Sequence, residues 1–114
     1  MNAELAPEDA KIITLARSAR ARSGTASGAA VRDETGRTYA AVDVNLPSLK
    51  LSALHVAVAM AVSSGAESLE AAAVVSDAEP TEADLAPAMD LKAVHVLLAG
   101  SDGAFVKSYE NPGH

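Results

Sequence analysis

The chain contains no cysteine and no tryptophan, and its 114 residues include only one phenylalanine and two tyrosines. The first absence excludes disulfides, thiolate nucleophiles and thiolate-bound metal from this chain. The scarcity of aromatics leaves a hydrophobic fraction of 49% to be supplied by Ala, Val and Leu, which bury little area each and demand close packing of the elements. Positive charge is also short, with 9 Lys and Arg against 15 Asp and Glu and a formal net charge of -6. A chain so charged repels phosphate backbones, which argues against a general nucleic-acid partner. No apolar run approaches the ~20 residues that span a bilayer, and no stretch has the layout of a secretory signal. The expectation is a cytoplasmic protein with no membrane partner.

What is present fits one domain with a single core, residues 1–114, ordered over 7–109 with a loose tail at 110–114. Ile12, Ile13, Leu15, Ala16 and Ala19 fall on one face of a helix that starts at Pro7-Glu8-Asp9 and ends near Arg22 before Gly24. Arg17, Arg20 and Arg22 then read as a solvated helix end. Two strand-like runs, 28–31 and 38–42, flank Asp33-Glu34-Thr35-Gly36 and predict a β-hairpin. Ser48 is a candidate N-cap for a second helix over 49–64, apolar almost all round between Leu51 and Val62. Such a helix needs cover on more than one side. Residues 69–76 and 93–99 read as interior strands, 82–89 as a short helix that Pro87 bends or ends, and 105–109 as an edge strand. Hairpins together with helical crossovers give a mixed sheet with helices on its faces.

This order of elements is similar to that of the cytidine deaminases, and two stretches sharpen the likeness: Gly36-Arg37-Thr38-Tyr39 leading into Val42-Asp43-Val44-Asn45, and Ala61-Val62-Ser63-Ser64-Gly65 closing the central helix. The resemblance implies a three-layer α/β fold with a mixed five-stranded sheet. It also implies a dimer or tetramer assembled around the helix at 49–64. In that family a Cys or His and two Cys hold a zinc ion that activates water, and a Glu two residues after the first ligand moves protons. Here the ligand-x-Glu pattern falls on Ser52-Ala53-Leu54, and the second ligand motif falls near Pro80-Thr81-Glu82-Ala83-Asp84, where no cysteine stands. The family's substrate-reading Asn and Glu align with Asp43 and Asn45. The resemblance therefore implies a vestigial pocket of Asp43, Asn45, Ser52, Leu54 and His55, with no catalytic residue, no zinc and no other cofactor.

The remaining chemistry-bearing side chains read blandly. His95 sits among apolar strand residues as a hydrogen-bonded structural histidine, and His114 is terminal. Ser52 with His55 lacks the third group that would orient a base for a nucleophile. Glu79, Glu82 and Asp84 read as charge partners of a helix N-terminus. Three functions stay open: a non-catalytic oligomeric scaffold or interaction module, a binder of a small polar ligand such as a nucleoside or nucleotide through Asp43, Asn45 and the amides of the central helix, and, as the resemblance implies, a cytidine deaminase or other nucleoside-processing hydrolase.

Overall fold

The structure, a computed structural model, describes residues 5–113; His114 lies outside them. Helix α1 (Pro7–Ser23) is followed by strands β1 (Ser27–Asp33) and β2 (Thr38–Val42) and by a small ribbon of β3 (Val44–Leu46) and β4 (Leu49–Leu51). Helix α2 (Ala53–Ser63), β5 (Leu69–Ser76), α3 (Glu82–Asp90), β6 (His95–Ala99) and β7 (Phe105–Glu110) complete the chain. The main sheet has five strands in the order β2-β1-β5-β6-β7. All of its neighbours are antiparallel except β5 and β6, which run parallel because α3 crosses between them. The expected mixed five-stranded sheet with helices on both faces is the observed architecture.

Alternation along β5 explains its unbroken apolar run. Ala71, Ala73 and Val75 face α1, where they pack with Ile12, Ile13 and Ala16. Ala72 and Val74 face the opposite way and meet the core that holds Leu54, Ala57, Val58 and Ala61 of α2 and Ala88 of α3. A strand covered on both faces needs no polar alternation. Small side chains let the layers approach: a Cβ placed on Gly28 would lie 2.2 Å from the carbonyl oxygen of Ala16, so α1 rests on β1 at a distance only glycine permits.

Two expectations need correction. Residues 49–51 are strand β4, paired with β3 through Val44 and Leu51, Asn45 and Lys50, and Leu46 and Leu49, so Ser48 caps nothing and the helix begins at Ala53. Its N-cap is Ser52, whose hydroxyl accepts the His55 amide at 3.1 Å. Second, α3 runs through Pro87 to Asp90. Proline has no N–H for the Ala83 carbonyl, and the ring Nε2 of His55 donates to that carbonyl instead at 2.7 Å. Just beyond β7, the Asn111 side-chain amide donates to the carbonyls of Ala93 (3.0 Å) and Met89 (3.3 Å).

Among the described residues two carboxylates are buried, Asp9 and Asp33. Asp9 joins three elements, with Oδ1 3.1 Å from Arg32 Nη2 and Oδ2 3.0 Å from His95 Nε2, while Arg32 Nε reaches Glu70 at 2.7 Å. His95 is thus hydrogen-bonded within the framework. Asp33 closes the β1–β2 turn by accepting from the amides of Thr35 (2.9 Å) and Arg37 (3.0 Å) and the Thr35 hydroxyl (2.7 Å).

Candidate functional site

The ends of β1 and β5 and the start of α2 leave a hollow that the β5–α3 loop closes from the side. It is a half-open cavity of about 110 Å³. Ser27 from β1, Ser52 with Ala53 and Leu54 from the start of α2, and Val74 with Ser76 from β5 line it on the sheet side. Ala78, Glu79 and Pro80 of the loop, with Asp84 of α3, form the opposite rim. A shallower cleft continues from Ser27 and Ser52 along Asp43, Val44 and Asn45 to Lys50 and Leu51 of the ribbon.

The polar groups are largely committed to the framework. Ser27 donates to Asp43 and ties the loop after β2 to β1. Ser52 holds the α2 N-terminus, and Ser76 accepts the Ala78 amide at 3.1 Å. Asp84 belongs to a capping box: its Oδ2 accepts the Thr81 amide at 3.0 Å while the Thr81 hydroxyl accepts the Asp84 amide at 3.1 Å. Asp84 is therefore the helix-start partner the sequence indicates. Glu79 is not. It accepts the Tyr109 hydroxyl at 2.9 Å and lies 3.5 Å from Lys107 Nζ, pinning the rim to β7. The Tyr109 bond, aided by the Lys107 charge and its hydrogen bond, holds the Glu79 carboxyl below its ordinary value. Burial first, and then the bond to Glu79, push Tyr109 above its own.

Of the five pocket residues read from the sequence, Ser52 and Leu54 line the cavity, Asp43, Asn45 and Ser52 line the cleft, and His55 lines neither. His55 points instead to α3 through its bond to Ala83. Ser27, Ser76 and Glu79 are not legible as site residues, since isolated serines at strand ends carry no spacing signal and the partners of Glu79 lie about thirty positions away. Among the described residues, no three His, Cys, Asp or Glu side chains gather around a point that would hold a metal ion. No helix is long and apolar enough to cross a membrane among those same residues.

The fold is shared with solved structures. The cytidine deaminase from Burkholderia pseudomallei superposes with a TM-score of 0.77 at 22% identity, over 90% of this chain and 92% of that one. A point mutant of the cytidine deaminase from Mycobacterium tuberculosis gives 0.69 at 23% identity, over 90% of each chain. The Mycobacterium leprae cytidine deaminase gives 0.68 at 19% identity, over 91% of this chain and 94% of that one. No curated protein sequence matches. A model of the family described as cytidine deaminase-like matches residues 5–103, and the chain therefore belongs to the cytidine deaminase-like family.

Proposed function

We propose that this chain is a non-catalytic, zinc-free member of its family that works as a homo-oligomeric scaffold or interaction module, a dimer or tetramer joined through α2. The observation that carries this reading is the chemistry of the cavity wall. A water-activating zinc of the family's kind takes nitrogen or thiolate donors and a neighbouring carboxylate. At the corresponding positions stand the Ser52 hydroxyl, already accepting an amide, the apolar Leu54, 1% exposed, and Thr81 and Asp84, whose side chains each accept the other's backbone amide in the α3 capping box. His55 is turned to Ala83, and there is no cysteine to recruit from elsewhere in the chain. This donor set does not fit the ion.

Oligomerisation draws on the other side of the same helix. One face of α2 is buried through Ala53, Leu54, Ala57, Val58 and Ala61, while Met60 and Val62 remain 40% and 49% exposed. An apolar outward face on a small domain is favourably covered by a second copy. Two measurements test the reading together. Elemental analysis of protein dialysed against zinc should find far less than one ion per chain, and light scattering at micromolar concentration should give a dimer or tetramer. Stoichiometric zinc, or a monomer, contradicts it.

The cavity supports a second reading, a binder of a small polar ligand that uses the serines together with Asp43 and Asn45 of the adjoining cleft. Calorimetry against nucleosides and nucleotides addresses it, and silence across that panel removes the nucleoside form of the idea.

A further inference from the structure

The ribbon of β3 and β4 is amphipathic, and its apolar side is uncovered. Val44 pairs with Leu51 and Leu46 with Leu49, so alternation puts all four on one face, while Asn45 and Lys50 form the other. Val44 and Leu51 are half-buried at the base, whereas Leu46 and Leu49 at the tip are 53% and 46% exposed. Among the described residues the two strands make extensive contact only with each other. A two-stranded hairpin is marginal in water unless its apolar face is packed against something.

The ribbon runs directly into α2, whose outward side is apolar as well. Val56 is half-buried there, Ala59 is exposed, and Met60 and Val62 stand exposed in the last turn. With 11 residues α2 is about 16 Å long and about 10 Å wide. That strip falls well short of the roughly 800 Å² that each partner gives to a stable interface. Further surface has to come from a neighbouring element, and charge points to the ribbon. Of the 23 residues from Val44 to Ala66 only Lys50 is charged, in a chain where 21% are. Depletion of this kind marks the core of an interface. The two ends of this surface are also complementary. Lys50 makes no ion pair among the described residues. The last turn of α2 has no basic residue to meet the negative end of its dipole, and the exposed Glu67 follows it.

We propose that the apolar face of the ribbon docks on the last turn of α2 in a second copy of this chain, an inference that rests on the α2 oligomer above. A two-fold axis across the middle of α2 sets the start of one helix against the end of the other and makes every contact twice. The ribbon precedes Ala53, and Met60 and Val62 lie at the far end. Leu46 and Leu49 of one chain therefore cover the α2 end of its partner, and Lys50 brings its charge to the acidic side of that end.

The chain has no cysteine, so a pair introduced by substitution reports the contact directly. Ser48→Cys at the ribbon turn and Ser63→Cys at the end of α2, both exposed positions, are purified separately, mixed and treated with a short bismaleimide. The mixture should yield linked pairs of chains, and either variant alone far fewer. Leu46→Ser with Leu49→Ser should raise the dissociation constant of the oligomer at least about tenfold, read by light scattering over a dilution series, with circular dichroism confirming the fold. Unchanged affinity in that folded variant overturns the proposal and leaves the α2 reading standing, the ribbon then being kept for a different partner. Linking within a single chain that carries both cysteines overturns it too, by showing the ribbon folded back on its own α2, as does equal linking of either variant alone. A wild-type monomer at micromolar concentration removes the α2 reading and this contact with it.

Discussion

Asp33 shows how much one side chain contributes to the frame that carries the site. Burial works against its charged form, but bonds from the Thr35 hydroxyl and amide, the Arg37 amide and the Tyr39 hydroxyl outweigh that cost and hold its carboxyl below the ordinary value. A folded-state value below the unfolded one means stability that is complete above about pH 3.9 and is lost as pH falls through the depressed value. Urea melts between pH 5 and pH 2 should show this loss in the wild type and a flatter dependence in Asp33→Asn, while Asp33→Ala should lower stability at pH 7 by about 1–3 kcal/mol. Leu54 makes the opposite kind of contribution. It is 1% exposed within the α2 core, so Leu54→Ala should cost about 2–5 kcal/mol in the same melts. A cost below that range would mean the position tolerates a smaller or polar group, which weakens the case that it serves packing. Asp43, Asn45, Ser52 and Leu54 are legible as wall residues because they sit on stretches with a recognisable neighbourhood. Ser27, Ser76 and Glu79 are not, because only the folding of β1, β5 and β7 brings them to the hollow.

At the scale of elements, sequence pattern alone reveals α1, the β1–β2 hairpin, the buried strands and the edge strand, since their periodicities and turn residues agree. The stretch from Val44 to Leu51 misleads. Leu49-Lys50-Leu51 is compatible with an apolar helix when joined to the helical residues after it, but its alternation matches a strand, and Val44–Leu46 supplies the partner that a local reading cannot see. The true cap lies accordingly at Ser52, and Ser52→Ala should destabilise the protein by about 0.5–2 kcal/mol, whereas Ser48→Ala should change it little. Pro87 reads as an interruption of its helix, yet His55 takes the carbonyl that the proline leaves without a donor. This exchange predicts a coupling. His55→Ala should be costly in the wild type and less so in Pro87→Ala, where the residue 87 amide can bond Ala83, and a double-mutant cycle should return a coupling of about 0.5–1.5 kcal/mol. Strict additivity would show that the His55 bond does not substitute for the backbone one. Gly28→Ala should separate α1 from β1 and cost about 1–3 kcal/mol, because the new methyl meets the Ala16 carbonyl and not a flexible side-chain end.

For the molecule as a whole, the proposed function separates the framework from the family's chemistry. The five-stranded sheet, its crossover and the flanking helices follow the cytidine deaminase arrangement over about nine-tenths of the chain. The cavity at the mouth of that framework is walled by serines, a leucine and two carboxylates tied to the scaffold. Metal-assisted deamination demands a group that lowers the pKa of water and a base that accepts its proton. In the proposed account the wall offers no nitrogen or thiolate donor to hold such a metal, and Leu54 stands where the proton-moving carboxylate would. The direct measurement is ammonia release from cytidine and deoxycytidine by the purified chain in the presence of equimolar zinc. The account predicts a rate equal to that of buffer with zinc alone, and sustained turnover that disappears on chelation would contradict it.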